Sequence, residues 1–283
     1  MKVKNFCFFL IALLVAPLLS IGQKLNVASY NIRYANPDDA KRGDGWERRV
    51  PVIASQVHFF DFDLMGVQEA LARQLEDLDK LLIEYDRIGV GREDGKAGGE
   101  FSPIFYKKDR LELLDHDTFW LSETPEKPSK GWDAALNRIC TWGKFRDRLS
   151  GEEFFHFNLH MDHMGQEARK NSSLLIVEKI REIAGDAPVI LSGDFNFDQT
   201  HPNYQLIVKS GVVEDTYEQA PVRMAPNGTF NRFSFEGTGH DNRIDHIFVN
   251  DKVRVNHYGI LTISYKGHFP SDHFPVLVEV ELD

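Results

Sequence analysis

The sequence predicts an α/β domain in which helices cover the faces of β-sheets. Short apolar runs at residues 62–67 and 189–191 are typical of buried strands. Longer segments at residues 46–60 and 168–184 carry apolar side chains at helical spacing. Because strand-like and helix-like segments alternate twice along the chain, we expect layers of helix packed on sheet.

The elements can be placed in chain order from the same patterns. Strands are predicted at residues 25–31, 62–67, around 105, 111–119, 153–160, 189–193, 244–249 and 275–280, and helices at residues 46–60, 71–82, 168–184 and 204–208. The polar stretch 36–45, the glycine-rich stretch 89–99 and the proline-containing stretch 124–136 are predicted to be irregular. No internal repeat or flexible linker divides the chain, so residues 23–283 are predicted to form a single domain.

The N-terminus has the pattern of a secretory signal peptide. Lys2 and Lys4 form a basic start, an apolar run follows at residues 6–15, and the small residues Ser20 and Gly22 lie just before residue 23. The run is too short for a membrane-spanning helix. We therefore predict that residues 1–22 are removed, that no stable membrane span remains, and that the protein is exported to the periplasm or the exterior.

Charge and cysteine content restrict the classes of partner. Without the two lysines of the signal, 31 basic residues face 43 acidic ones, a net charge of −12. An acidic chain of this kind is not expected to bind extended duplex nucleic acid through many phosphates. It does not exclude a nuclease, because a bound divalent ion can supply local positive charge. Cys140 is the only cysteine after residue 22, so no internal disulfide can form. We expect the protein to be a monomer.

Polar side chains recur where the predicted strands begin or end. These residues are Asn31, Glu69, His160, Asp194 with Asn196, Asp245, and Asp272 with His273. Each of these residues, taken alone, could have a purely structural role. The sequence Gly-Asp-x-Asn is common in turns, and a single histidine is often a core residue. In layered α/β folds, however, ligands gather where loops leave the strand ends. Taken together, the residues predict one acidic pocket that contains two imidazoles.

The residue types favour metal-assisted hydrolysis of a phosphate ester. Carboxylate and amide oxygens prefer Mg²⁺, Mn²⁺ or Ca²⁺ to zinc, which prefers nitrogen and sulfur. A divalent ion neutralises phosphoryl charge, and an imidazole oriented by a carboxylate can take a proton from water. Serine hydrolase chemistry fits less well, because Ser192 lacks the Gly-x-Ser-x-Gly elbow and Ser271-Asp272-His273 cannot form a triad among themselves.

In this order, the motifs resemble those of the endonuclease/exonuclease/phosphatase superfamily, which has the DNase I-like fold. The matching motifs are Asn31, Gln68-Glu69, residues 158–163, Gly193-Asp194-Phe195-Asn196, Ile244-Asp245-His246 and Ser271-Asp272-His273. Residues 119–142 look like a secreted bacterial branch near the deadenylase-like members, nocturnin and the carbon-catabolite-repression type. The resemblance implies a four-layer α/β sandwich, in which two central mixed sheets pack face to face with helices outside.

The resemblance also implies roles for the strand-end residues. Mg²⁺ would be held mainly by Glu69, with Asn31 and Asp272 nearby. Asp194 would orient or deprotonate the attacking water, and Asn196 would help to hold the phosphate. His273 and Asp245 would form an oriented imidazole pair, and His160 would donate a hydrogen bond to the phosphate or leaving group. Either Asp194 or His273 can be the base in this scheme, and we prefer Asp194.

Five further residues are candidates for the substrate-binding wall: Arg92, Glu100, Arg138, Trp142 and His163. An arginine suits a phosphate, and a tryptophan suits the face of a base or sugar. The alternatives are a loop salt bridge for the arginines, a core position for the tryptophan and a packing or supporting role for His163.

Three functional hypotheses follow from the sequence. The first is a secreted, Mg²⁺-dependent phosphodiesterase, with a nucleotide, short nucleic acid or phospholipid head group as possible substrate. The second keeps the chemistry but makes the protein a phosphomonoesterase for sugar or inositol phosphates. The third is a non-catalytic module that binds a phosphorylated ligand.

Overall fold

The computed structural model describes residues 24–282, with residues 237 and 238 described by their backbone only. The predicted signal peptide, residues 1–22, lies outside this part of the chain. The strands are β1 (Lys24–Asn31), β2 (Leu64–Gln68), β3 (Ala70–Leu71), β4 (Tyr85–Ile88), β5 (Glu100–Phe101), β6 (Ile104–Lys107), β7 (Leu111–Trp120), β8 (Ile139–Asp147), β9 (Glu153–His160), β10 (Val189–Asp194), β11 (Glu214–Asp215), β12 (Val222–Met224), β13 (Asp245–Val249), β14 (Val253–Ile260) and β15 (Val276–Leu282). The helices are α1 (Pro37–Lys41), α2 (Trp46–Phe59), α3 (Ala72–Leu81), α4 (Gln166–Ala184), α5 (Pro202–Val208) and α6 (Thr216–Gln219), with a 3₁₀ turn at Phe235–Thr238.

Two large mixed sheets form the centre of the domain. The first has seven strands in the order β12-β14-β15-β1-β2-β6-β4, and the second has six in the order β11-β13-β10-β9-β8-β7. Strand β1 pairs in parallel with β2 and antiparallel with β15. Strand β10 likewise pairs in parallel with β9 and antiparallel with β13. Strands β3 and β5 form a separate two-stranded sheet.

The two sheets pack face to face, with helices on their outer faces. Side chains alternate along each strand, so Val27 of β1 enters the core between the sheets while Ala28 enters the helix layer. Helices α2 and α3 cover the first sheet, and α4 and α5 cover the second. The predicted four-layer α/β sandwich is therefore confirmed. Among the helices of residues 24–282, none is both long enough and apolar enough to cross a membrane.

A buried polar network joins the two sheets near one end. Asn158 of β9 accepts a hydrogen bond from Gln68 of β2 at 2.7 Å and donates to the Val67 carbonyl at 2.8 Å. Ser192 of β10 donates to Asn158 at 3.3 Å. Gly66 leaves room for the network, because a Cβ there would lie 2.4 Å from Ser192 Oγ and 2.5 Å from Asn158 Oδ1. The network fixes the sheets against each other directly below the strand ends that carry the predicted site.

The predicted site residues meet because of the strand directions. Strands β1, β2, β9 and β10 end at the same edge, and the antiparallel strands β13 and β15 begin there. Within the second sheet, Asp194 lies in register with both His160 and Asp245. Strand ends separated by more than a hundred residues in sequence thus bring their polar side chains to one place.

The structure differs from the sequence prediction at several elements. The stretch 36–45 was predicted to be irregular but contains α1, which Asn36 caps by accepting the Asp38 N–H at 2.9 Å. Strand β10 extends one residue beyond the predicted end, to Asp194. Strands β4, β8 and β14 were not predicted, because each mixes charged residues with apolar ones and none forms an apolar run.

Candidate active site

A cavity of about 450 Å³ opens at the edge where the strand ends meet. Its lining contains nine of the predicted residues: Glu69, Glu100, Arg138, His160, His163, Asp194, Asn196, Asp272 and His273. Asn31 and Asp245 are fully buried and contact this lining from behind. Arg92 and Trp142 are not part of the lining.

One side of the cavity is built around Glu69. Its Oε1 accepts a hydrogen bond from Asn31 Nδ2 at 3.1 Å, and its Oε2 accepts one from the Tyr34 N–H at 3.2 Å. Arg33 lies between the acidic groups of this side, with Nη1 3.8 Å from Glu69 and Nε 3.7 Å from Asp272. Asn31 Oδ1 is occupied by the Arg33 N–H at 3.0 Å, so in this orientation the amide presents its nitrogen to Glu69.

Three residues at the site have strained backbone conformations. Arg33, Glu69 and Asn196 adopt left-handed φ angles of +58°, +64° and +54°. A non-glycine residue in such a conformation costs about 1–3 kcal/mol, and this kind of strain is typical of functional sites. The conformation directs the Glu69 and Asn196 side chains back toward the cavity at the points where β2 and β10 end.

Asp194 stands at the centre of the site. Its Oδ1 accepts the Asn196 N–H at 2.9 Å, and its Oδ2 accepts Asn31 Nδ2 at 2.9 Å. The Nε2 atom of His160 lies 3.5 Å from Oδ2, and the Nε2 atom of His273 lies 3.8 Å from it. The Asn196 amide also reaches the ring, with Nδ2 3.1 Å from His160 Nε2. Two imidazoles and two amides thus converge on one buried carboxyl group.

His273 is oriented from its far side by Asp245. Nδ1 of His273 lies 2.9 Å from Oδ2 of Asp245, and both side chains are buried. The backbone N–H of Asp245 donates to Thr229 Oγ1 at 3.1 Å, which holds the start of β13 in place. With the proton on Nδ1 directed at Asp245, Nε2 of His273 faces Asp194 and the cavity.

The electrostatics follow from the crowding of buried carboxyl groups. Burial and the neighbouring Asp245 raise the pKa of Asp194 to about 7, and burial and Glu69 raise the pKa of Asp272 to about 6. Burial lowers the pKa of His273, but Asp245, Asp194 and Asp272 outweigh it and raise the pKa to about 10. Burial, with the nearby charges of Arg138 and Arg92, holds the pKa of His160 well below its ordinary value. His160 and His273 therefore differ in charge at neutral pH.

The donor set fits a hard divalent cation. The cavity is lined by four carboxylates, Glu69, Glu100, Asp194 and Asp272, but by only two guanidinium groups, Arg33 and Arg138. Potential ligand atoms of Glu69, His160 and Asp194 all lie within 4.8 Å of one another. A cation there would offset the burial and the carboxylate repulsion that together raise the pKa values of Asp194 and Asp272. Glu69, Asp194 and Asp272 are the residues that could hold it through oxygen.

The opposite rim of the cavity is supported by two buried arginines. Arg92 binds Glu100 in a two-pronged ion pair, with N–O distances of 2.6 and 3.1 Å. Arg138 donates to Asp162 at 3.3 Å and to His163 Nδ1 at 3.0 Å. Glu100 and His163 line the cavity, as does the largely buried Arg138. Arg92 lies behind Glu100 and reaches the cavity only through it.

Trp142 does not lie at the predicted site. It projects from β8 toward the helix layer and packs near Phe155 and Phe157, with ring centroids 6.0 and 6.4 Å away. It lines a separate cavity of about 580 Å³, to which α4 contributes Lys179 and Glu182. The prediction that Trp142 belongs to the wall of the candidate site is wrong, because side chains alternate along β8 and its position faces away from the sheet interface.

Several residues of the cavity were missed by the sequence analysis. Arg33 follows the predicted site residue Asn31 by two residues, so its position in the sequence could have indicated it. Tyr34, Leu136 and Phe230 also line the cavity. Phe230 and Thr229 come from a loop without a regular pattern, which reaches the site through a bridge between Phe230 and His273. No sequence signal marks these loop residues.

Comparisons with known proteins agree with this architecture. The family model described as "Endonuclease/Exonuclease/phosphatase family" matches residues 28–273. A solved structure of an endonuclease/exonuclease/phosphatase family protein from Bacteroides thetaiotaomicron is 51% identical, with a TM-score of 0.90 over 93% of this chain and 99% of its own. A mannosyl-6-phosphatase from the same organism is 51% identical, with a TM-score of 0.88 over 90% of this chain and 99% of its own. Nocturnin of Drosophila melanogaster is 25% identical over 176 residues, which span 58% of this chain and 26% of nocturnin.

Proposed function

Because the chain belongs to the Endonuclease/Exonuclease/phosphatase family and is a phosphoesterase of that family, we propose that it is a divalent-metal-dependent phosphomonoesterase acting on sugar phosphates. The sequence favoured a phosphodiesterase and left a phosphomonoesterase for sugar or inositol phosphates as the alternative, and we now prefer that alternative. The mannosyl-6-phosphatase that is 51% identical to this chain supports the choice of a sugar phosphate.

The observation that carries the proposal is the charge balance of the cavity. Both guanidinium groups in the lining already have carboxylate partners: Arg33 pairs with Asp39 at 2.9 Å, and Arg138 pairs with Asp162 at 3.3 Å. A nucleic acid presents a row of phosphates and is bound through unpaired basic residues. The described lining offers none, but with one divalent cation it suits a single phosphate on a neutral leaving group.

The chain's own residues can support hydrolysis at this point. A divalent cation bound at Glu69 would neutralise charge on the phosphoryl oxygens. Asp194, held through both oxygens by Asn31 and the Asn196 N–H, is placed to take a proton from the attacking water. His273, held by Asp245, presents Nε2 to the same point and stabilises the phosphoryl group by a hydrogen bond. His160 offers a further hydrogen-bonding group from the side of Asn196.

The test is a substrate panel with and without a chelator. The panel contains mannose 6-phosphate, glucose 6-phosphate, an inositol phosphate, a nucleoside monophosphate, bis(4-nitrophenyl) phosphate and a short oligonucleotide. We expect the highest kcat/KM for a hexose phosphate, loss of activity in EDTA, and recovery with Mg²⁺. A higher kcat/KM for either diester would support the phosphodiesterase hypothesis instead, and binding of a phosphorylated compound without turnover would support the binding module.

We also propose that the protein acts outside the cytoplasm. The basic start and apolar run before residue 23 support this proposal. The test is N-terminal sequencing of protein recovered from the periplasm and the medium. A mature N-terminus near residue 23 is expected, and an intact N-terminus in a cytoplasmic fraction would contradict it.

A further inference from the structure

We propose that Glu100 and His163 recognise hydroxyl groups of the leaving group, and that the buried Arg92 and Arg138 position them. The inference rests on the proposed sugar phosphatase function and names the residues that select the sugar. It also changes the predicted role of the two arginines, which the sequence suggested as direct contacts to phosphate.

Glu100 is a hydrogen-bond acceptor that is fixed from behind. Both of its carboxylate oxygens receive hydrogen bonds from Arg92, at 2.6 and 3.1 Å. Arg92 is largely buried, and its other carboxylate contact, to the exposed Glu93 at 3.3 Å, is expected to contribute little to its position. Glu100 keeps 16% of its side-chain surface exposed and lines the cavity. Because a carboxylate oxygen can accept more than one hydrogen bond, Glu100 can still accept from a ligand.

His163 is a hydrogen-bond donor whose tautomer is set by Arg138. The guanidinium group has only donors, and its Nη2 lies 3.0 Å from His163 Nδ1. Nδ1 must therefore accept, which places the proton of the neutral ring on Nε2. His163 is exposed and lines the cavity, and Arg138 is fixed in turn by Asp162. The ring thus presents an N–H donor of defined position.

An acceptor and a donor on one rim match the chemistry of a sugar hydroxyl, which both donates and accepts. The same rim does not match a second phosphate, because the Glu100 carboxylate would repel it. A site built to hydrogen-bond substrate hydroxyls discriminates against analogues that lack them, since its own polar groups then lose their partners.

The experiment compares Glu100→Gln and His163→Ala with the wild-type enzyme on two phosphomonoesters. Mannose 6-phosphate carries hydroxyl groups on the leaving group, and 4-nitrophenyl phosphate does not. We expect the ratio of kcat/KM for mannose 6-phosphate to that for 4-nitrophenyl phosphate to fall about tenfold in each variant, the size of effect typical of one lost hydrogen bond. Melting temperatures confirm that each variant is folded.

Monodeoxy analogues of mannose 6-phosphate identify the contact. For the hydroxyl that Glu100 accepts from, the wild type is expected to disfavour the deoxy analogue about tenfold. Glu100→Gln is expected to distinguish the two compounds less, because an amide oxygen accepts a weaker hydrogen bond than a carboxylate oxygen. Glu93→Gln is the matched control, because Glu93 contacts the same Arg92 but does not line the cavity. For Glu93→Gln, the ratio of kcat/KM for mannose 6-phosphate to that for 4-nitrophenyl phosphate is expected to equal the wild-type ratio.

Three results would overturn the inference. Equal losses on both phosphomonoesters would place Glu100 and His163 at the phosphate end, and a Glu93→Gln effect as large as that of Glu100→Gln would assign the change to Arg92. If the wild type hydrolyses diesters but no sugar phosphate, the proposed function itself fails, and this is seen without any variant.

Discussion

Nδ1 of His273 lies 2.9 Å from Oδ2 of Asp245, and Nε2 of the same ring lies 3.8 Å from Asp194. The two carboxyl groups come from adjacent strands, β10 and β13, in which they are directly paired in register. His273 arrives from the other sheet, just before β15. One imidazole therefore joins the two sheets at the centre of the site, and its orientation depends on both.

Replacing Asp245 by asparagine is expected to lower kcat by about 100-fold or more, the range typical of a lost acid–base or charge-stabilising group. The change preserves shape, and Asp245 Oδ1 has no partner among the described residues, so the fold should be retained. Steady-state kinetics and a melting curve check both expectations. Asp241→Asn, an exposed change in the preceding loop, is the control and should leave kcat within about twofold. Equal kcat values for the two variants would show that Asp245 does not contribute to catalysis.

The buried His156 is expected to make stability depend on pH. Its Nε2 contacts Ser192 at 2.7 Å, and burial lowers its pKa to about 3. Between pH 6.5 and 3 the unfolded chain binds a proton that the folded protein does not, so stability is full above pH 6.5 and is lost as the pH falls. Relative to His156→Gln, the wild type should lose about 1.4 kcal/mol of unfolding free energy per pH unit over this range. Urea unfolding at pH 7, 6 and 5 measures the difference, and parallel curves would contradict it.

The polar network between the sheets is expected to be sensitive to one added methyl group. In Gly66→Ala the new Cβ would lie 2.4 Å from Ser192 Oγ and 2.5 Å from Asn158 Oδ1. Overpacking of this kind typically costs about 1–3 kcal/mol. Gly259→Ala is the matched control in strand β14, because its Cβ would meet no atom closer than 3.9 Å. Urea unfolding of both variants should show a loss for Gly66→Ala alone.

Trp142 provides a test of the corrected site. Because it lines the cavity between the second sheet and α4, Trp142→Leu should leave kcat/KM for a hexose phosphate within about twofold, as expected for a change away from the site. Any effect should appear in the unfolding free energy instead. A large rise in KM with an unchanged unfolding free energy would show that Trp142 does contact the substrate.

The fold could be predicted largely because its buried strands are apolar and its helices have clear periodicity. Leu64–Gln68 and Val189–Asp194 are buried throughout, and Gln166–Ala184 repeats its apolar residues at helical spacing. Strand β14 escaped prediction because a register shift between Val255 and His257 interrupts the alternation along Val253–Ile260, which also contains arginine, histidine and glycine. The pairing of the strands could likewise not be predicted from the sequence, because it depends on contacts between segments that are distant along the chain.

The site was predictable where a motif coincides with a strand end. Glu69, His160, Asp194 and His273 line the cavity as the strand-end pattern predicts. The pattern does not specify which way a side chain points in the middle of a strand, which is why Trp142 was misplaced. The pattern also does not reveal which residues hold the site residues in place. Arg92 supports Glu100 and Arg138 supports His163 through contacts of 2.6–3.1 Å, which form only when the chain is folded.

Phosphate release from mannose 6-phosphate as a function of metal concentration is the most direct test of a metal-dependent phosphatase site at Glu69. Wild-type enzyme and Glu69→Gln are treated with EDTA, and Mg²⁺ is then added back, with Mn²⁺ and Ca²⁺ in parallel. We predict that chelation abolishes wild-type activity, that a divalent cation restores it, and that Glu69→Gln remains at least about 100-fold slower at every concentration. Activity that survives chelation, or that Glu69→Gln retains in full, would contradict this assignment.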